Sequence, residues 1–151
     1  MKRIEPFLRT QPWRVMAVFS PVERVLDRME IDGTVETNGD QVVFMEHGKG
    51  GWFDLVAALN GLVEFHELAT EKHGVPASTA ALTKLASDLH DGNQIFEADI
   101  AAVRRDIASC KHQALKLRVS QAADIVRTIQ IRSELARNEV LPKLLPTVSV
   151  V

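Results

Sequence analysis

The run His47-Gly48-Lys49-Gly50-Gly51 offers the most specific chemistry in the sequence. A glycine-rich turn between a strand and a helix presents backbone amides to an anion. Gly48, Lys49, Gly50 and Gly51 are therefore a candidate anion or small-ligand site. The run departs from phosphate-binding loops, which follow their lysine with Ser or Thr, because Lys49 is followed by Gly50. No G-x-G-x-x-G occurs either. A plain turn joining a hairpin to a helix is the preferred reading.

His66 and His73 lie two helical turns apart on one face, about 10 Å in rise, too far to share a metal unaided. Neither H-E-x-x-H nor E-x-x-H is present, which removes the zincin and di-iron patterns. Both histidines are expected at a packing face, with no metal and no cofactor. Cys110 is flanked by Ser109 and Lys111 on an apolar helical seam and reads as a small buried hydrophobe rather than a nucleophile. No G-x-S-x-G nucleophile elbow occurs. No catalytic residue is nominated, and the protein is expected not to be an enzyme.

Basic residues gather late in the chain. Residues 100–140 carry eight bases and four acids, whereas residues 54–99 carry eight acids and two bases. Arg104, Lys111 and Arg118 are spaced by seven and would align on one helix, with Arg105 and Lys116 beside them. These five are the candidate nucleic-acid contacts, since phosphate binding needs cations on one face. The competing and preferred reading pairs them with the acidic helices of the same bundle.

Composition narrows the classes. The 151 residues are 46% hydrophobic and 25% charged, with a net charge of −2. That is the balance of a globular protein, with no global charge to recruit nucleic acid or an anionic membrane. A single cysteine leaves no disulfide framework. Aromatics are 5% of the chain and tyrosine is absent, so stacking platforms are scarce. No apolar run approaches the roughly 18 residues of a membrane span, and a cytoplasmic protein is expected.

The elements that must position these residues follow from periodicity. Residues 1–19 read as an N-terminal arm, with Arg14–Phe19 a candidate strand. Ser20-Pro21-Val22-Glu23 has the form of a capping box with proline at the first helical position, and it predicts a helix to about Glu30. Residues 34–45 read as a β-hairpin turning at Asn38-Gly39, which pairs Val35 with Val42 and buries Val35, Val42 and Phe44 on one face. A third strand is sought in Arg14–Phe19 or in Thr147–Val151. A helix follows from about Phe53 to Lys72, with Trp52, Leu55, Leu59, Leu62, His66, Ala69 and His73 at 3,4 spacing. It ends at Gly74. Ser78 is expected to cap a shorter helix that ends before Gly92.

From Asn93 to Leu141 there is neither glycine nor proline. Phe96, Ile100, Val103, Ile107, Cys110, Ala114 and Leu117 form a heptad seam. The apolar set then restarts on another face at Leu115, Val119, Ala122, Val126, Ile129 and Ala136. This predicts either one long, kinked helix over about 94–139 or a break near Ser120. A continuous helix would be about 70 Å long against a body about 40 Å across, so a second subunit would have to cover the overhang.

The expected fold is mainly α, a helical bundle with one inserted β-hairpin. Its parts are an arm (1–19), a helix–hairpin–helix–helix body (20–92), a long heptad-patterned helix (93–140) and a tail (141–151). The expected function is that of a non-enzymatic interaction or regulatory protein. It would form a homodimer through Leu115, Val119, Ala122, Val126, Ile129 and Ala136, with an unidentified protein as a further partner. A nucleic-acid-binding regulator is the alternative, and an anion binder at residues 48–51 the third.

Overall fold

The first helix, α1 (Pro12–Asp32), opens on a proline at its first turn, where the missing amide costs nothing. It buries Val15, Phe19, Val22, Leu26 and Met29. Those five alternate by four and three, so the helical register runs straight through Ser20-Pro21. This corrects the expectation of an arm or strand over Arg14–Phe19 and of a cap at Ser20. The Ser20 hydroxyl instead donates to the Met16 carbonyl at 2.8 Å, as an interior helical serine does. Burial of Val15 and Phe19 outweighs the one amide that Pro21 cannot supply.

The computed structural model describes residues 7–39, 41–45 and 52–144, with Thr10 and residues 136–144 as backbone only. The anion-site candidates Gly48, Lys49, Gly50 and Gly51 lie outside the described residues, as do the side chain of Ala136 and the tail segment Thr147–Val151.

After α1 come three antiparallel strands in the order β1 (Glu36–Asn38), β2 (Gln41–Met45) and β3 (Trp52–Asp54). The hairpin forms where expected, but two residues out of the expected register. Asn38 pairs with Gln41, Thr37 with Val42 and Glu36 with Val43, so Asn38 belongs to the ladder rather than to the turn. Gly39 has φ +61°, a conformation that glycine alone adopts without steric cost. Phe44 is buried as expected, and so is Val43, whereas Val35 and Val42 are only half-buried. The third strand comes from neither predicted segment. Trp52–Asp54, read from sequence as a helix entry, pairs Phe53 with Phe44, their rings 5.8 Å apart. A two-stranded ribbon is marginal, and the nearest available segment completes it.

Helix α2 (Leu55–His73) starts on Asp54, whose Oδ1 accepts from the Ala57 amide at 3.2 Å, and stops at Gly74 with φ +66°. It buries Leu55, Leu59, Leu62, Val63, His66, Leu68 and Ala69, while Trp52 is exposed. Helix α3 (Ala80–Asp91) buries Leu82, Leu85 and Ala86.

The predicted long helix is two. Helix α4 (Glu97–Ala114) and helix α5 (Val119–Leu144) are separated by Leu115–Arg118. Helix α4 begins after Phe96, which is exposed rather than the first member of the seam. From Ile100 onward the seam is buried as the heptads predict. The break has neither glycine nor proline, and three local hydrogen bonds and one tertiary bond hold it. The Lys116 and Leu117 amides donate to Gln113 and Ala114, Gln121 Oε1 accepts from the Arg118 amide, and the Leu8 amide donates to the Leu117 carbonyl at 2.9 Å. Leu117 itself is fully buried. Helix α5 then doubles back along α2, where Lys72 bonds Asp124 and Arg132 bonds Glu64. No 70 Å helix exists, and the overhang that called for a second subunit disappears with it.

Among the described residues, no helix is long and apolar enough to cross a membrane.

Candidate functional site

Between α1 and α5, over α2, lies a groove of about 920 Å³. Sequence dictates its shape. Its floor is the stretch of α2 that carries Ala57, Ala58 and Gly61, small residues that leave a trough, with Leu62, Phe65 and His66 beyond. An added Cβ at Gly61 would touch nothing within 4 Å. The α1 wall presents Arg14, Ala17 and Val18, exposed residues off the buried 15-19-22-26 stripe. The α5 wall presents Val119, Ala123, Val126 and Arg127, a second stripe beside the buried Ile125. Phe44 and Phe53, the cross-strand pair, also line it.

His66 belongs to the floor. It is 97% buried, edge-on to Phe65 at 5.1 Å and tilted against Phe19 at 6.2 Å. Burial holds its pKa down, to about 4, so the ring is neutral at physiological pH. Among the described residues, the imidazole makes no hydrogen bond. The other polar groups of the groove are Asp54, committed to the α2 N-terminus, Gln130, and the two guanidinium groups Arg14 and Arg127. Among the described residues, Arg14 and Arg127 have no acidic partner.

The structure brings together much of the predicted dimer set and divides the predicted basic set. Val119, Ala122, Val126 and Ile129, predicted for a dimer, all line the groove. Val119, Ala122 and Ile129 are half-buried within their own chain, as is Leu115, and Val126 is 45% exposed. The predicted basic face is divided. Arg104 bonds Asp27 and Glu30 of α1 at 2.7 Å each, and Lys111 pairs with Glu23. Arg118 sits over the Phe7 ring at 4.6 Å, while Arg105 and Lys116 are exposed. Residues 104, 111 and 118 no longer share one helix. The preferred pairing with acids holds for Arg104 and Lys111, but the acids are those of α1 rather than α2 and α3. Glu23, Asp27 and Glu30 recur at four and three on α1, a stripe that matches α4 running antiparallel.

His66 lies at a packing face, as expected, and His73 is half-buried with its Nε2 enclosed and unbonded. Among the described residues, no three His, Cys, Asp or Glu side chains cluster to hold a metal. Cys110 is fully buried, and desolvation, with Asp106 adding to it, pushes its thiol up to about 12.

Sequence reading missed the groove's α1 wall, Ile125 and Asp106. Val15 and Phe19 carry the signal for the first, since they extend the Val22-Leu26-Met29 spacing upstream. Asp106 has no local signal, because all its partners are on α3 or just before it.

Comparison of the chain with family models, with curated proteins and with solved structures gives no match.

Proposed function

We propose that this protein is a non-catalytic binding protein whose working surface is the α1–α2–α5 groove. One observation carries the reading. A groove of about 920 Å³, walled by apolar side chains and floored by Ala57, Ala58 and Gly61, stays open in a chain that otherwise closes its core. Sites for small molecules have this size and this mostly apolar lining with a few placed polar groups. The thiol of Cys110, buried and held protonated, offers no nucleophile, which favours binding over catalysis. A cytoplasmic setting and a regulatory role, in which occupancy of the groove is signalled to a partner, fit the single unpaired cysteine and the open surface.

The test is titration with Nile red, a neutral apolar dye. Saturable binding with one site per chain is expected. It should be lost in Gly61→Leu, which fills the trough, while the variant keeps its helical circular dichroism. Absence of saturable binding by the wild-type chain would count against the reading.

Self-association is the second reading. Ile131 and Leu135 are 50% and 57% exposed and lie four apart on one face of α5, and a second copy laid along that face would cover them. Sedimentation equilibrium over a wide concentration range decides it. Dimer formation weakened by Ile131→Glu supports it, and a monomer throughout rejects it.

A further inference from the structure

Among the described residues, the polar groups of the groove that are not already committed are two guanidinium groups, one neutral imidazole and one neutral amide. Among the described residues, Asp54 is its one carboxylate, and that group caps α2 through the Ala57 amide. Arg14 on the α1 wall and Arg127 on the α5 wall each carry a positive charge with no acidic partner among the described residues. His66, 97% buried in the floor, makes no hydrogen bond among the described residues. Among the described residues, the uncommitted charge of the groove is thus positive, and the rest of its surface is mostly hydrocarbon.

An occupant complementary to both features has an apolar body and an anionic head. A carboxylate presents two oxygens, one for the guanidinium of each wall, and guanidinium–carboxylate pairs are among the strongest hydrogen-bonded contacts available. An alkyl chain laid over Ala57, Ala58 and Gly61 would meet Val18, Phe65 and Val126. Small floor residues leave the depth such a chain needs, and an unbranched chain can follow an open trough.

From this charge complementarity we infer that the groove binds a long-chain monocarboxylate, held by Arg14 and Arg127 at its head and by the α2 trough along its chain. The inference rests on the binding reading above and adds the chemical class of the ligand.

The experiment is calorimetric titration of the full chain with dodecanoate and dodecyl phosphate below their micelle concentrations and with dodecanol below its solubility limit. Dodecanoate is expected to bind one to one, about tenfold or more tighter than dodecanol, the ratio that one charge-assisted hydrogen bond supplies. In the double variant Arg14→Gln with Arg127→Gln, dodecanoate should weaken to the level of dodecanol, whose own binding is unchanged. Gly61→Leu should abolish both, and Ala57→Leu provides a second block should the first variant fold poorly. Equal affinity for dodecanoate and dodecanol overturns the carboxylate assignment and leaves the binding reading standing. Tighter binding of dodecyl phosphate than of dodecanoate also overturns it, in favour of a phosphate head. If no alkyl compound binds but Nile red does, the ligand class is wrong. If Nile red fails as well, the groove itself is not a site. Failure of dodecanoate to bind to a chain that sediments as a dimer would place a second copy over the groove, and that result too rejects the inference.

Discussion

Asp106 of α4 caps α3 from outside: its Oδ1 accepts from the Ser78 hydroxyl at 2.7 Å, and its Oδ2 from the amides of Ala81 and Leu82 at 2.7 and 3.2 Å. The first residues of a helix have amides with no partner inside it, and a nearby Ser, Thr, Asp or Asn usually serves them. Here Thr79 stands at the N-cap with no side-chain bond, and Ser78, which sequence suggested as the cap, acts by holding the true cap in place. Ser109 Oγ accepts from the Ser78 amide at 3.1 Å, so the α3 entry is fastened to α4 at two points.

Asp106→Ala should therefore destabilise the fold by about 1–3 kcal/mol, because three donors, the buried Leu82 amide among them, lose their acceptor together. Asp106→Asn, which keeps one carbonyl oxygen, should cost less. Urea denaturation measures both. A loss below about 0.5 kcal/mol for the alanine variant, the range of an unremarkable surface change, would show that water replaces the carboxylate at no cost.

Cys110 lies behind this junction, with its Sγ 3.6 Å from the Ser78 carbonyl. With its thiol pushed up to about 12, it should resist a disulfide reagent at pH 8 and react only as fast as the chain opens. Adding urea at concentrations that unfold the protein should release the full reaction. Complete modification of the folded protein within the mixing time would contradict this placement.

His66 ties stability to pH. Its folded pKa, about 4, lies below the ordinary value of 6.5. The unfolded chain thus takes up the proton first, and acid favours unfolding. The contribution is fully present above 6.5 and is lost as pH falls from 6.5 toward 4, reaching about 3 kcal/mol. Asp32, Asp88 and Asp99, all held below the usual carboxylate value of 3.8 by hydrogen bonds, add their own loss only at still lower pH. Denaturation midpoints across pH 7 to 4.5 should fall in the wild type and flatten in His66→Leu. An NMR titration in which the His66 ring protonates near 6.5 would refute the burial.

Gly39 and Gly61 should respond in opposite directions. Gly39→Val places a β-branched residue at φ +61° and should destabilise by about 1–2 kcal/mol. Gly61 sits inside α2 with open space where a Cβ would go, so Gly61→Ala should stabilise by about 1 kcal/mol through helix propensity. Thermal melts of the two variants test both signs. A destabilised Gly61→Ala would mean that the trough floor is closed to even a methyl group.

Local patterns in the sequence determined the helical class, the hairpin, the α2 and α3 stops at Gly74 and Gly92, and the burial of Ile100, Val103, Ile107 and Cys110. Each of these depends on residues within a turn or two of one another: a 3,4 spacing, a left-handed stop, a tight turn flanked by β-branched residues. What failed depends on partners far along the chain. Ser20-Pro21 has the form of a helix start, and only the burial of Val15 and Phe19 overrides it, Phe19 meeting His66 of α2. Trp52–Asp54 has no strand signature beyond its aromatics, and pairing with β2 makes it a strand. The stretch from Asn93 to Leu141 holds no helix breaker, yet the Leu8 amide at the Leu117 carbonyl and the burial of Leu117 fix the break at Leu115–Arg118. That break turns α5 back onto α2. In doing so it converts the heptad residues Val119, Ala122, Val126 and Ile129 from a predicted dimer seam into one wall of a groove, because a helix that folds back covers only one of its apolar stripes and leaves the other facing an open trough.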